Sequence, residues 1–246
     1  MNRWNLQAAY RHLSEDFGSL DAVFALEGEQ ITWDHISELI RVEREGTDYY
    51  VKRYRKNGQG WRNWLPRIRT RIRAEWENLQ RFVDWNIATA EIIARGEETK
   101  GPFFIRGAMI TRGIPNALDL ETLVDERGEL LQDAGWVREV SRQVAEYTRI
   151  MHDHGFVHTD LKWRNILVDD QRKAYLIDCP AGGFWWGPFL QYRIIKDLAC
   201  LDKVGKYQLS RTQRLRFYCQ YTGRRRLAAE DKKRIGKILR FFEGRE

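Results

Sequence analysis

His158-Thr-Asp160-Leu-Lys162-Trp-Arg-Asn165-Ile-Leu-Val168, followed by Tyr175-Leu-Ile-Asp178, is the stretch on which the fold turns. One short loop holds an acid, a lysine two positions on and an amide five positions on. A second acid, Asp178, ends an apolar run thirteen positions beyond Asn165. That gap suits a hairpin, with Ile166–Val168 and Ala174–Ile177 as strands and Asp169-Asp170-Gln171 as the turn. Ionised Asp160 is able to accept a hydroxyl proton or to orient the hydroxyl for in-line attack. Lys162, on the same side of an extended loop, is placed to balance charge on a transferred phosphoryl group. Asn165 and Asp178 offer the hard oxygen atoms that Mg2+ prefers. His158, taken alone, reads as a structural histidine.

Upstream, Lys52 sits mid-strand in Tyr50-Val51-Lys52, where an inward-facing ammonium needs a phosphate or carboxylate partner. Glu75 is the first candidate partner, because it opens a helix and precedes Leu79 by one turn; Glu77 is the fallback. Each of these residues alone is most simply a solvated surface residue. The ordered set Lys52, Glu75, Asp160, Asn165 and Asp178, each on a suitable element, is far more specific.

The remaining chain divides in two. Ala22–Leu26, Leu39–Glu43 and Tyr49–Tyr54 read as strands, with a turn at Arg44-Glu-Gly-Thr47. Residues 70–85 switch to helical spacing, placing Ile72, Trp76, Leu79, Phe82 and Val83 on one face. Ile92–Arg95 and Phe103–Thr111 are two further strands, and the stretch from Arg112 to Asp119 is an irregular connector. Beyond it the spacing predicts a helix over Trp136–His154, stopped by Gly155, and more helices over 190–204, 210–221 and 229–242. The expectation is an α+β chain with a strand-rich N-terminal lobe, residues 1–112, and a helical C-terminal lobe, residues 113–246.

Composition narrows the setting. The 246 residues are 43% hydrophobic, enough for a packed core, and no stretch approaches the ~18 apolar residues of a membrane span. The first residues lack an apolar signal core, so the chain reads as non-secreted. Three cysteines without CxxC spacing suit a reducing cytoplasm and argue against a disulfide framework or zinc site. The net charge of +7 is concentrated: residues 52–73 carry nine Lys/Arg and no acid, and residues 211–246 carry twelve against four acids. Such clusters attract polyanions. Within residues 61–73, Trp61, Trp64, Leu65, Ile68 and Ile72 interleave with arginines, the composition of an interfacial anchor on an anionic membrane. No RRM, KH or zinc pattern supports nucleic acid as a partner.

The loop H-x-D-L-K-x-x-N with its following Asp matches the catalytic loop of protein-kinase-like enzymes, with Thr159 where the common pattern has Arg. Over nearly the whole chain the sequence resembles the lipopolysaccharide kinases of Gram-negative bacteria, which phosphorylate heptose or Kdo sugars of the inner core. The resemblance rests on SLDAVFALEGE, YYVKRY, RAEWENLQRF with NIATAEIIARG, HTDLKWRNILV, LIDCP and IIKDLACLDK. It implies a two-lobed protein-kinase-like fold with ATP and Mg2+ as cofactors. It also implies Asp160 as base, Asn165 and Asp178 as metal ligands, and Lys52 on the ATP phosphates. Asp197 then braces the loop rather than reacting. The implied acceptor is a lipopolysaccharide core glycan, met at the inner face of the cytoplasmic membrane.

Two departures stand out. No GxGxxG precedes Lys52; the candidate phosphate-covering turn is Thr32-Trp-Asp-His-Ile-Ser37-Glu38, where Ser37 offers its own donors. Asp178 is followed by Cys179-Pro180 rather than Phe-Gly. Only nineteen positions separate Asp178 from Asp197, and no Ala-Pro-Glu lies between them, which leaves little room for a peptide platform. The interval holds Phe184, Trp185 and Trp186, whose faces suit sugar rings, although one tryptophan is equally suited to the core. A non-catalytic scaffold of the same fold would be expected to lose the base or a metal ligand, and none is lost.

Overall fold

The computed structural model describes residues 2–55 and 69–244. These fall into two compact units: Met1–Gln80 with Ala90–Ile114, and Arg81–Thr89 with Pro115–Glu246.

The first unit is built on a six-stranded sheet of order β1-β5-β6-β4-β3-β2. Its strands are β1 (Asn2–Leu6), β2 (Glu29–Trp33), β3 (Ser37–Arg44), β4 (Thr47–Arg55), β5 (Ile92–Lys100) and β6 (Phe103–Arg112). All neighbours are antiparallel, and β4, paired to both β3 and β6, lies within the sheet. In β4 the burial alternates: Tyr49, Val51 and Arg53 go under, as a half-buried strand requires. The turn at Glu45-Gly46 takes positive φ at both residues (52° and 69°), the hairpin geometry for which glycine is suited.

One expectation fails here. Ala22–Leu26 is not a strand; Leu20–Ala25 forms helix α2, after the single-turn α1 (Ser14–Phe17). Periodicity cannot assign so short an apolar run. The deciding signal is Ser19, whose hydroxyl caps the helix by accepting from the Ala22 N–H at 3.1 Å. Leu20 and Val23, three apart, then enter one core with Tyr10, Phe17, Tyr49, Val51, Ile93 and Ile110.

Helix α3 (Arg71–Asp84) buries Ile72, Leu79 and Phe82, but Val83, expected on the same face, is exposed. Its start is fixed by Thr70, whose hydroxyl accepts from Arg73 N–H and donates to buried Glu97 of β5 at 2.7 Å.

The second unit is mainly helical: α4 (Leu120–Glu126), α5 (Ala134–Asp153), α6 (Gly187–Gln208), α7 (Arg211–Thr222) and α8 (Ala229–Leu239). Short strands β7 (Leu118–Asp119), β9 (Ile166–Val168) and β10 (Ala174–Leu176) make one small sheet. The second pairs β8 (Phe156–Val157) with β11 (Gly183–Phe184). α7 begins with a reciprocal capping box between Ser210 and Gln213 and ends at Gly223 in the left-handed region. The segment Arg81–Thr89 belongs to this unit through Phe82, which stacks beside His158 and meets Phe156 edge-on, and through the Leu176 N–H, which donates to Ala88 O at 2.9 Å.

Candidate active site

The loop from His158 to Asn165 is held from below by one buried carboxylate. Asp197 of α6 is fully buried; its Oδ2 accepts the His158 N–H at 2.8 Å and its Oδ1 the Thr159 N–H at 2.9 Å. His152 of α5 lies between Asp197 Oδ2 (3.4 Å) and the Tyr221 hydroxyl of α7 (2.9 Å). Three helices thus converge on the loop's first residues. Thr159 is a β-branched residue at φ 69°, a conformation that costs energy and persists only where its surroundings enforce it. The hydrogen bond to Asp197 supplies that enforcement. His158 is wholly buried, and burial pushes its pKa below the ordinary histidine range, against the pull of Asp197, Asp178 and Asp160. It is a neutral structural residue stacked beside Phe82.

Beyond it the polar groups gather. Lys162 Nζ stands 2.6 Å from Asp160 Oδ1, and Arg164 lies 3.7 Å from Oδ2. Asp160 is about one-third exposed, open to an incoming hydroxyl. Asn165 is buried and donates its amide N–H to Asp160 O at 2.8 Å. The Trp163 indole N–H donates to Leu201 O at 2.9 Å, anchoring the middle of the loop to α6.

Asp178 is brought to the same place by its neighbour: Ile177 N–H donates to Asn165 O at 3.0 Å. Asp178 itself adopts φ 56°, so the chain turns sharply at the second acid. These residues suit a magnesium ion. The Asn165 amide nitrogen is committed to Asp160, which leaves the amide oxygen as the atom that could meet a metal ion, with the Asp178 carboxylate as the second candidate ligand. Mg2+ commonly takes one or two such protein ligands and completes its shell with water and phosphate oxygens.

In the first unit Lys52 of β4 and Glu75 of α3 meet: Nζ to Oε1 is 2.8 Å, with Glu75 buried. Tyr54, which carries no local sign of a role, donates its hydroxyl to the other oxygen of Glu75 at 2.7 Å. Glu77, the fallback, is instead paired with Arg69 at 2.7 Å. Ser37 follows the turn between β2 and β3, where Asp34 Oδ1 accepts the N–H groups of Ile36 and Ser37, both at 2.6 Å. The Ser37 hydroxyl lies 3.4 Å from the same oxygen, so its donors face Asp34 in this structure. Burial works against ionisation of Asp34, but those N–H groups and nearby Arg71 outweigh it and hold the carboxyl below its usual range.

The three aromatics after Asp178 separate. Phe184 meets Phe156 and Trp85 edge-on while staying half exposed, with the Arg81 guanidinium over its ring. Trp185 is covered by Arg193 at 3.6 Å. Trp186, at the cap of α6, is 76% exposed. Among the described residues no cluster of three or more His, Cys, Asp or Glu has the geometry of a metal site. Residues 56–68, which carry Trp61, Arg62, Trp64, Leu65, Arg67 and Ile68 of the expected membrane anchor, lie outside the described residues.

A sheet carrying a Lys–Glu pair with its helix, and a helical unit carrying a braced Asp-x-Lys-x-x-Asn loop, define a protein-kinase-like fold. Residues 19–221 match the model of the lipopolysaccharide kinase (Kdo/WaaP) family, and the chain belongs to that family. It is 28% identical over 149 residues to the 3-deoxy-D-manno-octulosonic acid kinase of Vibrio cholerae, covering 56% of this chain and 57% of that protein. It is 26% identical over 161 residues to the lipopolysaccharide core heptose(I) kinase WaaP of Pseudomonas aeruginosa, covering 63% and 59%. The chain therefore spans little more than half the length of these curated relatives. Among solved structures, WaaP in complex with acyl carrier protein matches with a TM-score of 0.76 at 23% identity, covering 98% of this chain and 97% of that one. That likeness is one of fold.

Proposed function

We propose that this chain transfers a phosphoryl group from ATP to a hydroxyl of a lipopolysaccharide inner-core sugar, heptose or Kdo. The observation that carries the reading is the loop in which Asp160, Lys162 and Asn165 converge, with Asp178 tied beside them through Ile177. Asp160 receives or orients the acceptor's proton. Lys162 balances charge as the phosphoryl group moves. Asn165 and Asp178 hold Mg2+, which when bound neutralises phosphate charge. Lys52, fixed by Glu75, grips the nucleotide phosphates, and Ser37 contributes donors once its turn yields them.

On the acceptor side, Phe184 offers a half-exposed ring next to Arg81, a pairing suited to a sugar that carries carboxylate or phosphate. The short interval between Asp178 and Asp197 supports a glycan rather than a peptide acceptor. The relatives' acceptors, Kdo in one and heptose in the other, set the choice to be tested. The setting we assign is the inner face of the cytoplasmic membrane, where the acceptor is anchored.

The deciding experiment incubates the protein with ATP, Mg2+ and purified core lipopolysaccharide, and locates new phosphate by 31P spectroscopy of the released oligosaccharide. Labelling of a core sugar is expected, with casein-like peptides left unlabelled. Robust peptide phosphorylation without glycan labelling would sink the reading.

A further inference from the structure

Helix α6 shows two unlike faces. One enters the core through Ile194, Leu198 and Leu201. On the other, Trp186, Phe189 and Tyr192 recur at intervals of three and are 76%, 67% and 51% exposed. Phe189 and Tyr192, three apart, are neighbours on the helix, and Trp186, its extended N-cap, adds a third exposed ring at the start of this stripe. It continues into Arg193 and Lys196, one helical turn along. Large apolar side chains in a contiguous exposed patch mark an interaction surface, whereas scattered ones do not.

The charge around this stripe is predominantly positive. No acid occurs from Cys179 to Lys196. The Tyr192 ring lies 5.4 Å from Phe241, and Gln191 accepts from Arg234 at 3.3 Å, so α8 runs alongside. It exposes Lys232, Lys233 and Lys237, and Arg240 follows. Of the nearby acids, Asp197 is buried, Asp202 is held by Arg214 and Asp231 by Arg224. Glu230 and Glu243 remain exposed.

We propose that the exposed face of α6, from Trp186 through Tyr192 and flanked by the α8 cations, docks this protein on an anionic lipid bilayer. The stripe lies on a convex helix face, which offers no concavity to enclose a small ligand but lies flat on a planar surface. Tryptophan and tyrosine are the side chains enriched at the membrane interface, and lysine and arginine beside them draw on anionic headgroups. No helix among the described residues is long and apolar enough to cross a membrane, so attachment by such a face is peripheral. The inference rests on the membrane setting of the proposed function and assigns it a surface. α6 starts three residues after Phe184, the end of β11, and β11 pairs with the strand that leads into His158, so docking here holds the catalytic loop near lipid-anchored acceptor.

The test is co-sedimentation of the full chain with phosphatidylcholine vesicles containing about 30% phosphatidylglycerol, at low salt and at about 1 M salt, where the Debye length falls to about 3 Å. Wild-type protein is expected to bind at low salt and to be released by salt. Trp186→Ala with Phe189→Ala is expected to lower vesicle partitioning about tenfold. Tyr207→Ala, removing an equally exposed ring at the far end of α6, is expected to change nothing. Should the double variant fold poorly, Trp186→Gln alone is expected to reduce binding in the same direction. Unaltered binding of the substituted proteins, or equal binding to neutral vesicles, would overturn the proposal. So would loss of turnover by the double variant on deacylated, water-soluble core oligosaccharide, because the face would then be reading the glycan. If wild-type protein phosphorylates no core sugar, the functional reading fails while the vesicle measurement still decides this one.

Discussion

The Tyr54 hydroxyl donates to Glu75 at 2.7 Å, on the carboxylate oxygen opposite the one that Lys52 holds. Glu75 is therefore clamped from both sides by β4, two residues apart on the same strand. Tyr54→Phe strips a donor from a buried carboxylate, at a cost of about 1–3 kcal/mol. The expected result is a lowered Tm and a raised KM for ATP. Lys52→Met is expected to weaken productive ATP binding more, and Glu75→Gln to fall between. If Glu77→Gln impairs nucleotide binding and Glu75→Gln does not, the clamp has no functional role.

Asp160→Ala is expected to reduce kcat by about 10²–10⁴, the range for loss of a general base. Nucleotide affinity, read by a fluorescent ATP analogue, is expected to change little. Asp178→Ala should do comparable harm and also shift the Mg2+ concentration needed for half-maximal rate. Wild-type turnover in the Asp160 variant would remove that residue from its role.

Asp197→Ala orphans the N–H groups of His158 and Thr159 in a buried place and frees Thr159 from its positive φ. Breaking such a buried charged network costs about 3–5 kcal/mol. Chemical denaturation should show that loss, accompanied by a fall in kcat. Tyr221→Phe, which removes only the hydroxyl partner of His152, is expected to cost about 1 kcal/mol. An Asp197 variant as stable as wild type would show that the loop is held by other means.

His158 gives the protein an acid-side weakness. Burial lowers its folded-state pKa below the unfolded value of about 6.5, so the unfolded chain binds the extra proton first. Stability from this group is complete above that value and declines as pH falls below it towards the folded pKa. Denaturation midpoints should therefore drop between about pH 7.5 and 5.5, a window above the titration of ordinary carboxylates. His158→Leu, compared over the same range, should show a shallower decline. An unchanged slope would assign the acid sensitivity elsewhere.

The loop's spacing was readable because a phosphoryl-transfer site of the proposed kind would fix it, both the separations of Asp160, Lys162 and Asn165 and the length of the hairpin to Asp178. Lys52 and Glu75 were readable for a similar reason, since a lysine inside a sheet demands a carboxylate. What stayed hidden depends on tertiary approach. Nothing local in Tyr54 says that its hydroxyl faces α3, and His152 and Tyr221 meet Asp197 only because α5, α6 and α7 converge. Arg81–Thr89 reads as the end of a helix and a loop, yet the stacking of Phe82 and the Ala88 carbonyl attach it to the second unit. Helix α2 replaces the strand expected over Ala22–Leu26 because five apolar residues in a row carry no period, and β1 leaves no signal because Asn2–Leu6 alternates too little.

Strand β1 has a colloidal consequence. β1 covers β5 from Ala94 to Glu98, pairing residue by residue from Asn2 to Leu6. The opposite flank of the sheet ends in β2, which is five residues long, solvent-exposed throughout and broken by a bulge between Gln30 and Thr32. Short, bulged, charge-bearing borders resist adhesion to other chains, whereas long regular ones template it. A protein shortened by its first half-dozen residues would thus present the nine-residue β5 as an adhesive border. Its first failing would be self-association in concentrated solution, ahead of any change in how it handles a nucleotide.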